Sequence, residues 1–323
     1  MTLSLPAHLV DPVAGGLLSG IDVDGGPTNE QLKVLRALLT HVWDRPDIDL
    51  RQVRHVSPSE LAILLEDDEH RTMFHELHMA LETCRHPQSA AQVAAVQEYA
   101  DALGVGGDDL AIFRDLVIEG VESATTDYQR FLDETLTARF EPSLIDLPVI
   151  SDQQEIELAE KLQAFAEYGP GTLGRSYLSF YERFGLDLPG VEVSSINHFF
   201  VSHDMTHTIA GLATTIPGEV ALSAFQFAMN NNQSNRAALL ASLIAHEAGF
   251  AHPAHLAEAD MAILNNDSAV HLLGQELRRG SECTGDFSLV DHFELAPMML
   301  ADVRAEFGVR PPVNAHDGHH FLW

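Results

Sequence analysis

Residues 203–219 read HDMTHTIAGLATTIPGE. On a helix each residue advances by about 100°, so His203, Asp204 and His207 fall within an arc of about 100° on one face. His203 and His207 stand at i and i+4, the spacing at which two imidazoles on a helix converge on one cation. Gly211 and the Pro217–Gly218 pair then turn the chain. Glu219 follows in the first turn of the next helix, placed to return toward the first. Two imidazoles and two carboxylates suit zinc, Fe(II), manganese or cobalt; without a thiolate they suit Cu(I) poorly. In a chain with 18 histidines such a pair also arises as a surface or satisfied polar cluster. The apolar flanks, FF at 199–200 and IAGLA at 209–213, predict a buried helix, where ionisable groups need a partner or a metal.

Other polar groups carry weaker patterns. His246 and Glu247 with His252 and His255 suggest a second metal cluster, but HEAGFAH is not His-Glu-x-x-His and Pro253 interrupts the helix. The alternative is a set of loop histidines. The segment NAHDGHHFLW (314–323) reads as a disordered tail, with adventitious metal binding as its other reading. His75 and His78 at i,i+3 are expected on a helix surface. Asp22 and Asp24 read as a solvated acidic turn, or else as cation ligands. Arg175 with Arg278 or Arg279 offers either an anion-binding group or structural ion pairs.

The elements that must position these groups are helical. Leu32, Leu35, Leu38 and Leu39 form a stripe in 28–43. Ser57 and Glu60 form a capping-box signal for a helix to about Leu65. Further helices are expected over 69–85, 89–104, 108–124 and 127–138. Ser151 and Gln154 make another capping-box signal, for a helix to Tyr168. Then come helices over 175–185, 196–211, 218–229, 236–250, 252–280 with a break at Asn265–Asn266, and 294–308. No segment alternates as a strand would. The stretch 139–150 loses helical period and holds two prolines. The expected architecture is all-α: two helix-bundle domains, 1–140 and 151–313, a linker at 141–150 and a tail at 314–323.

Composition excludes several functions. Acids number 48 against 18 bases, for a formal charge of −30, and Lys33 and Lys161 are the only lysines. Nucleic-acid affinity rests on neutralising phosphate with Lys and Arg, so no nucleic-acid partner is expected. No polybasic segment is present to dock on anionic lipid. Cys84 and Cys283 stand far apart without a CxxC, which excludes a disulfide scaffold and a thiolate zinc site. The start of the chain lacks a basic n-region and a long apolar h-region. The longest apolar run, 237–245, is far short of the ~20 residues a spanning helix needs. The expectation is a soluble, cytoplasmic protein.

The pattern His-Asp-x-x-His followed by Glu, at His203, Asp204, His207 and Glu219, resembles the signature of the coenzyme Q (ubiquinone) biosynthesis protein four family. GTLGRSYLSFYERFG (171–185), TIAGLATTIPGEVALSAFQFA (208–228) and ELRRGSECTGDFSLVDHFELAPMMLADVRAEFGV (276–309) resemble its flanking segments, so the likeness spans about residues 155–312. It implies an all-helical fold with a divalent metal, zinc above all, on these four residues, beside an apolar groove for an isoprenoid. It further implies a lipophilic or prenylated aromatic quinone precursor as substrate, with the C1 carboxyl lost and replaced by hydroxyl. A scaffold in a biosynthetic complex, a homo-oligomer and peripheral membrane contact belong to the same expectation. The alternative is a non-catalytic, metal-containing lipid- or quinone-binding protein. In the N-terminal half, LLSGIDVDGGPTNEQLKVLRALL (17–39) and EYADALGVGGDDLAIFRDLV (98–117) resemble a TerB-like (tellurite-resistance) helical module.

Overall fold

The computed structural model describes residues 3–106, 118–230, 232–248 and 262–323. It is all-α, and no strand occurs among the described residues. Two compact units emerge, each assembled from separate stretches of chain: Met1–Leu132 with Ser223–Ser281, and Asp133–Leu222 with Glu282–Trp323. The division falls inside two helices, 121–137 and 216–229. The stretch 141–150, expected as a linker, lies within the second unit and includes a 3-10 turn at Pro142–Leu144.

In the first unit, α1 (Ala7–Ile21) is a helix that its residues do not announce, because Pro12, Gly15, Gly16 and Gly20 all read as breakers. The glycines are there for packing. A Cβ on Gly15 would lie 2.3 Å from the Arg54 carbonyl oxygen, and one on Gly20 would lie 2.3 Å from the His78 ring. Helix α2 (Asn29–Ala37) opens on a full capping box made by Thr28 and Gln31, and continues into a π turn over Leu38–Val42. Helix α3 (Pro58–Leu64) forms half of its expected box: Ser57 caps the Glu60 N–H, but the Glu60 carboxylate is taken by Arg54 at 2.6 and 2.9 Å. Helices α4 (Asp68–Thr83) and α5 (Ala90–Leu103) follow, the latter ending at Gly104 with φ 67°.

Val13, Leu17, Leu61, Phe74, Leu81 and Leu103 form the buried core of these helices. His78 is inside it, at van der Waals range of Phe74 and Tyr99. The expected surface position was wrong because the i,i+3 histidine spacing says nothing of which face α4 buries.

The helix expected over 108–124 lies largely outside the described residues. Where the chain is described, Gly120 at φ 99° sets a turn, and a single α6 (Val121–Thr137) runs through the break expected at 124–127. The first unit is completed by the C-terminal part of the helix over 216–229, by α11 (Gln233–His246) and by α12 (Asp267–Ser281). The expected break is present: a 3-10 turn at Ile263–Asn265 precedes α12. The first part of the helix expected over 252–280 lies outside the described residues.

In the second unit, α7 (Ile156–Gln163) starts four residues later than its capping-box signal suggested, with Glu155 and not Ser151 at the N-cap. The Gln154 amide donates instead to the Val191 carbonyl at 2.6 Å, so it cannot close a box with Ser151. Helix α8 (Leu173–Phe184) is capped by Thr172 and stopped by Gly185 at φ 67°. It packs on α9 (Asn197–Ala210), which ends at Gly211 with φ 73°. Helix α10 (Ile216–Met229) follows after a short loop. The helix expected over 294–308 divides into α13 (His292–Leu295) and α14 (Leu300–Glu306), because Pro297 cannot continue it.

No described helix is long and apolar enough to cross a membrane.

Candidate metal centre

Helix α9 carries three of the expected site residues on the face toward α8 and the start of α10. Its first turn is pinned from outside. The Glu155 carboxylate accepts from Asn197 Nδ2 at 2.7 Å and lies 3.0 Å from His198 Nε2, both groups being buried. One turn later the Ser202 hydroxyl donates to the Arg139 carbonyl. Helix α10 begins where the Thr215 hydroxyl accepts from the Gly218 N–H at 3.2 Å. A Cβ on Gly218 would sit 2.1 Å from the Ala213 carbonyl oxygen, so this tight turn requires glycine. The turn returns Glu219 to α9.

The two imidazoles stand together with Asp204, and both also meet Glu219. Donor atoms of His203, Asp204 and His207 lie within 4.8 Å of one another. Glu219 Oε2 is 3.1 Å from His203 Nε2 and 3.1 Å from His207 Nε2, and the two nitrogens are 3.2 Å apart. His207 and Asp204 are buried, while His203 and Glu219 form a partly exposed edge.

The surroundings fix the donors. His207 Nδ1 is 2.9 Å from the Leu212 carbonyl oxygen, which can only accept; Nδ1 therefore carries hydrogen and Nε2 is the ring nitrogen that faces the cluster. Phe180 stacks on the His207 ring and Phe199 on the His203 ring. The Tyr181 hydroxyl donates to Asp204, and the Tyr177 hydroxyl lies 3.3 Å from that of Tyr181.

The electrostatics call for positive charge. Burial raises the Asp204 carboxyl above its usual range, even against the two imidazoles. Burial disfavours a charged His207, but the Glu219 carboxylate outweighs it and holds the ring above the ordinary imidazole value. Glu219 is driven the other way, well below the carboxylate range, by His207 and His203 in spite of burial. The Glu219 carboxylate thus favours positive charge on His207, a demand that a dication would also meet.

The donor set fits a first-row divalent ion. A tetrahedral site with bonds of about 2.0–2.1 Å has donor–donor edges of about 3.3 Å, close to the spacings of His203, His207 and Glu219. The Leu212 carbonyl on Nδ1 is the kind of outer contact that orients a metal-binding imidazole.

The C-terminal segment, expected as a disordered tail, is ordered and completes this region. The Phe321 N–H donates to the Gly211 carbonyl at 2.9 Å, and the Ala213 N–H donates to the His319 carbonyl at 2.8 Å. Phe321 packs on Phe180 and Phe184. Arg304 donates to the Ile209, Thr208 and Leu322 carbonyls at 2.9, 3.1 and 2.7 Å, and its guanidinium lies 3.7 Å from the centroid of the Trp323 ring. The histidine-rich composition of 314–323 hid this role. The signal that could have found it is the aromatic pair Phe321 and Trp323 beside the free carbonyls at a helix C-terminus.

The weaker candidates resolve as follows. Glu247 joins Glu30 and His86; His252 and His255 lie outside the described residues. Asp22 lies 3.7 Å from His55 in an exposed turn. Arg279 is committed to Glu276 and to the Phe225 ring in the first unit, so it is a structural pair. Arg175 stands in the first turn of α8.

No family model matches the chain. No curated protein matches it either, so neither comparison supports the tellurite-resistance resemblance of the N-terminal half. Among solved structures, the chain is similar to one from Nostoc punctiforme PCC 73102 that bears the name "putative ubiquinone biosynthesis protein", at 17% identity and a TM-score of 0.33, over 75% of this chain and 98% of that one.

Proposed function

We propose that the second unit holds one divalent metal ion on His203, Asp204, His207 and Glu219, and that it acts on a lipophilic or prenylated aromatic carboxylic acid of the quinone-precursor type. The observation that carries the metal is the convergence of Glu219 Oε2 with both imidazole Nε2 atoms at 3.1 Å. The substrate class and reaction come from the resemblance of the motif and its flanks to the coenzyme Q biosynthesis protein four family. Zinc is the first choice of ion, with Fe, Mn or Co as alternatives.

When bound, such an ion supplies a Lewis acid for a carboxylate or carbonyl oxygen. The protein supplies the rest. The exposed edge of His203 and Glu219 is where a substrate carboxylate can approach. Phe180, fully buried, backs the His207 ring and excludes water, while the partly exposed Phe199 on the His203 ring gives apolar surface that suits an aromatic ring. Tyr181 holds Asp204, so that one carboxylate oxygen is already occupied. Simple decarboxylation replaces CO2 by a proton. Replacement of the C1 carboxyl by hydroxyl adds an oxygen atom and removes two electrons from the substrate, so it requires dioxygen or an equivalent oxidant as co-reactant. Leu186, Val191 and Val193, exposed in the loop before α9, give apolar surface for an isoprenoid or a membrane interface.

A second reading is a metal-containing binding or scaffold protein without catalysis. It is favoured by the number of donors, since four protein ligands can close a tetrahedral site. Incubation with a prenylated 4-hydroxybenzoate under air, with and without metal, separates the two. Metal-dependent release of CO2, lost in H203A/H207A, supports the enzyme. Tight binding of the same molecule with no turnover supports the binding protein. Neither binding nor turnover overturns the proposed substrate class.

A further inference from the structure

The first unit carries a second cluster of metal-binding groups. Glu30 stands in the first turn of α2, His86 follows α4, and Glu247 closes α11. Their donor atoms all lie within 4.8 Å of one another. His86 Nε2 is 3.2 Å from Glu247 Oε1. Glu247 is fully buried, and its other oxygen accepts from the Leu264 N–H at 2.8 Å. Glu30 is 8% exposed, and among the described residues its carboxylate has no hydrogen bond or ion pair, although it points into the cluster. The nearby cation is spent elsewhere: Lys33 pairs with Asp267 at 2.6 Å and donates to the Asn265 carbonyl.

Two carboxylates therefore share a buried site with one imidazole. Even a protonated His86 leaves one negative charge uncompensated, and like charges in a dry site are costly. A divalent cation cancels both carboxylates and accepts the neutral imidazole. One nitrogen and two oxygens suit a first-row transition ion better than a soft one, and the Leu264 N–H on Glu247 is a fitting outer contact. The His86 side chain, 20% exposed, marks the side that stays open to water.

We infer that Glu30, His86 and Glu247 bind a divalent first-row transition ion, of the zinc or manganese type, as a second site independent of the one on α9. The ion staples three segments far apart in sequence.

The test is metal stoichiometry on the full chain, stripped with chelator and titrated with Zn2+ and with Mn2+. The expected result is two ions per chain for the wild type and one for H203A/H207A. In the H203A/H207A background, Glu30→Gln weakens the remaining ion at least tenfold and Glu30→Gln with Glu247→Gln removes it, while the ion raises the melting temperature only when the cluster is intact. His86→Ala, at the open edge, is the variant for the case that the buried substitutions unfold the protein by circular dichroism; it too weakens the ion at least tenfold. An H203A/H207A protein that takes up no ion, or one whose ion is indifferent to Glu30→Gln and His86→Ala, overturns the site. A wild-type chain with one ion, lost in H203A/H207A and kept in His86→Ala, overturns it while leaving the α9 site standing.

Discussion

His207 Nδ1 sits 2.9 Å from the Leu212 carbonyl oxygen, five residues on, so the turn that ends α9 also selects the tautomer of a site residue. The other ring nitrogen is thereby committed to Glu219. Removing either imidazole should therefore remove the metal and not merely weaken it. His203→Ala and His207→Ala are each expected to lower the metal content by one ion per chain, with helicity retained. Elemental analysis of chelator-free preparations checks this.

Tyr181 reaches the same site through Asp204. With its partner deleted, Asp204 is a buried carboxylate short of a donor. Tyr181→Phe is expected to cost about 1–3 kcal/mol of stability and to weaken metal binding by about 10–100-fold. Chelator competition together with denaturant melts would measure both. Unchanged affinity would show that Asp204 is not a ligand.

Arg304 is the clamp between the end of α9 and the C-terminal segment. Arg304→Met leaves the buried Thr208 and Ile209 carbonyls without this donor and removes the cation from the Trp323 ring. A loss of about 2–4 kcal/mol is expected from the unpaired carbonyls and the lost stacking. Deletion of residues 320–323 should lower the melting temperature in the same direction. A truncated protein as stable as the full chain, by calorimetry, would show that the segment is dispensable.

One turn apart on α4, His78 and Glu82 set opposite pH limits. Burial lowers the His78 imidazole to about 4, from 6.5. The unfolded chain binds the extra proton there, so stability is lost as pH falls from 6.5 through 4. Burial raises the Glu82 carboxyl to about 8, from 4.5. Here the folded chain binds the extra proton, so stability is lost as pH rises from 4.5 through 8. At ~1.4 kcal/mol per pKa unit, each limb is worth several kcal/mol. The two cancel between 4.5 and 6.5, leaving a plateau with a fall on each side. Glu82→Gln should abolish the alkaline fall and turn the plateau into a rise toward pH 6.5 set by His78, and urea melts at pH 5, 6.5 and 8 would show both.

Much of the helix inventory could be read from apolar periodicity and caps, since Thr28, Ser89, Thr172, Gly104 and Gly185 act locally. The His203, Asp204 and His207 face was also readable, because helix geometry alone places the three together. The rest depends on contacts distant in sequence. Glycines in α1 look like breakers until Arg54 and His78 are packed against them. Ser151 and Gln154 look like a box until Val191 takes the amide. By sequence Glu247 groups with His246, His252 and His255, whereas its partners in the structure, Glu30 and His86, come from the far end of the chain.

The interleaving of the two units bears on how the chain is made. The first unit needs helices on both sides of 133–222, so a ribosome has already released most of the second unit's segment before the first can close around α11 and α12. The second unit in turn waits for the stretch around Phe321, long after its four donor residues have emerged. Each unit must therefore hold apolar helix faces unburied while the other is synthesised. Fragments cut at 141–150 would inherit that exposure permanently, and full-length expression is the form in which both clusters can assemble.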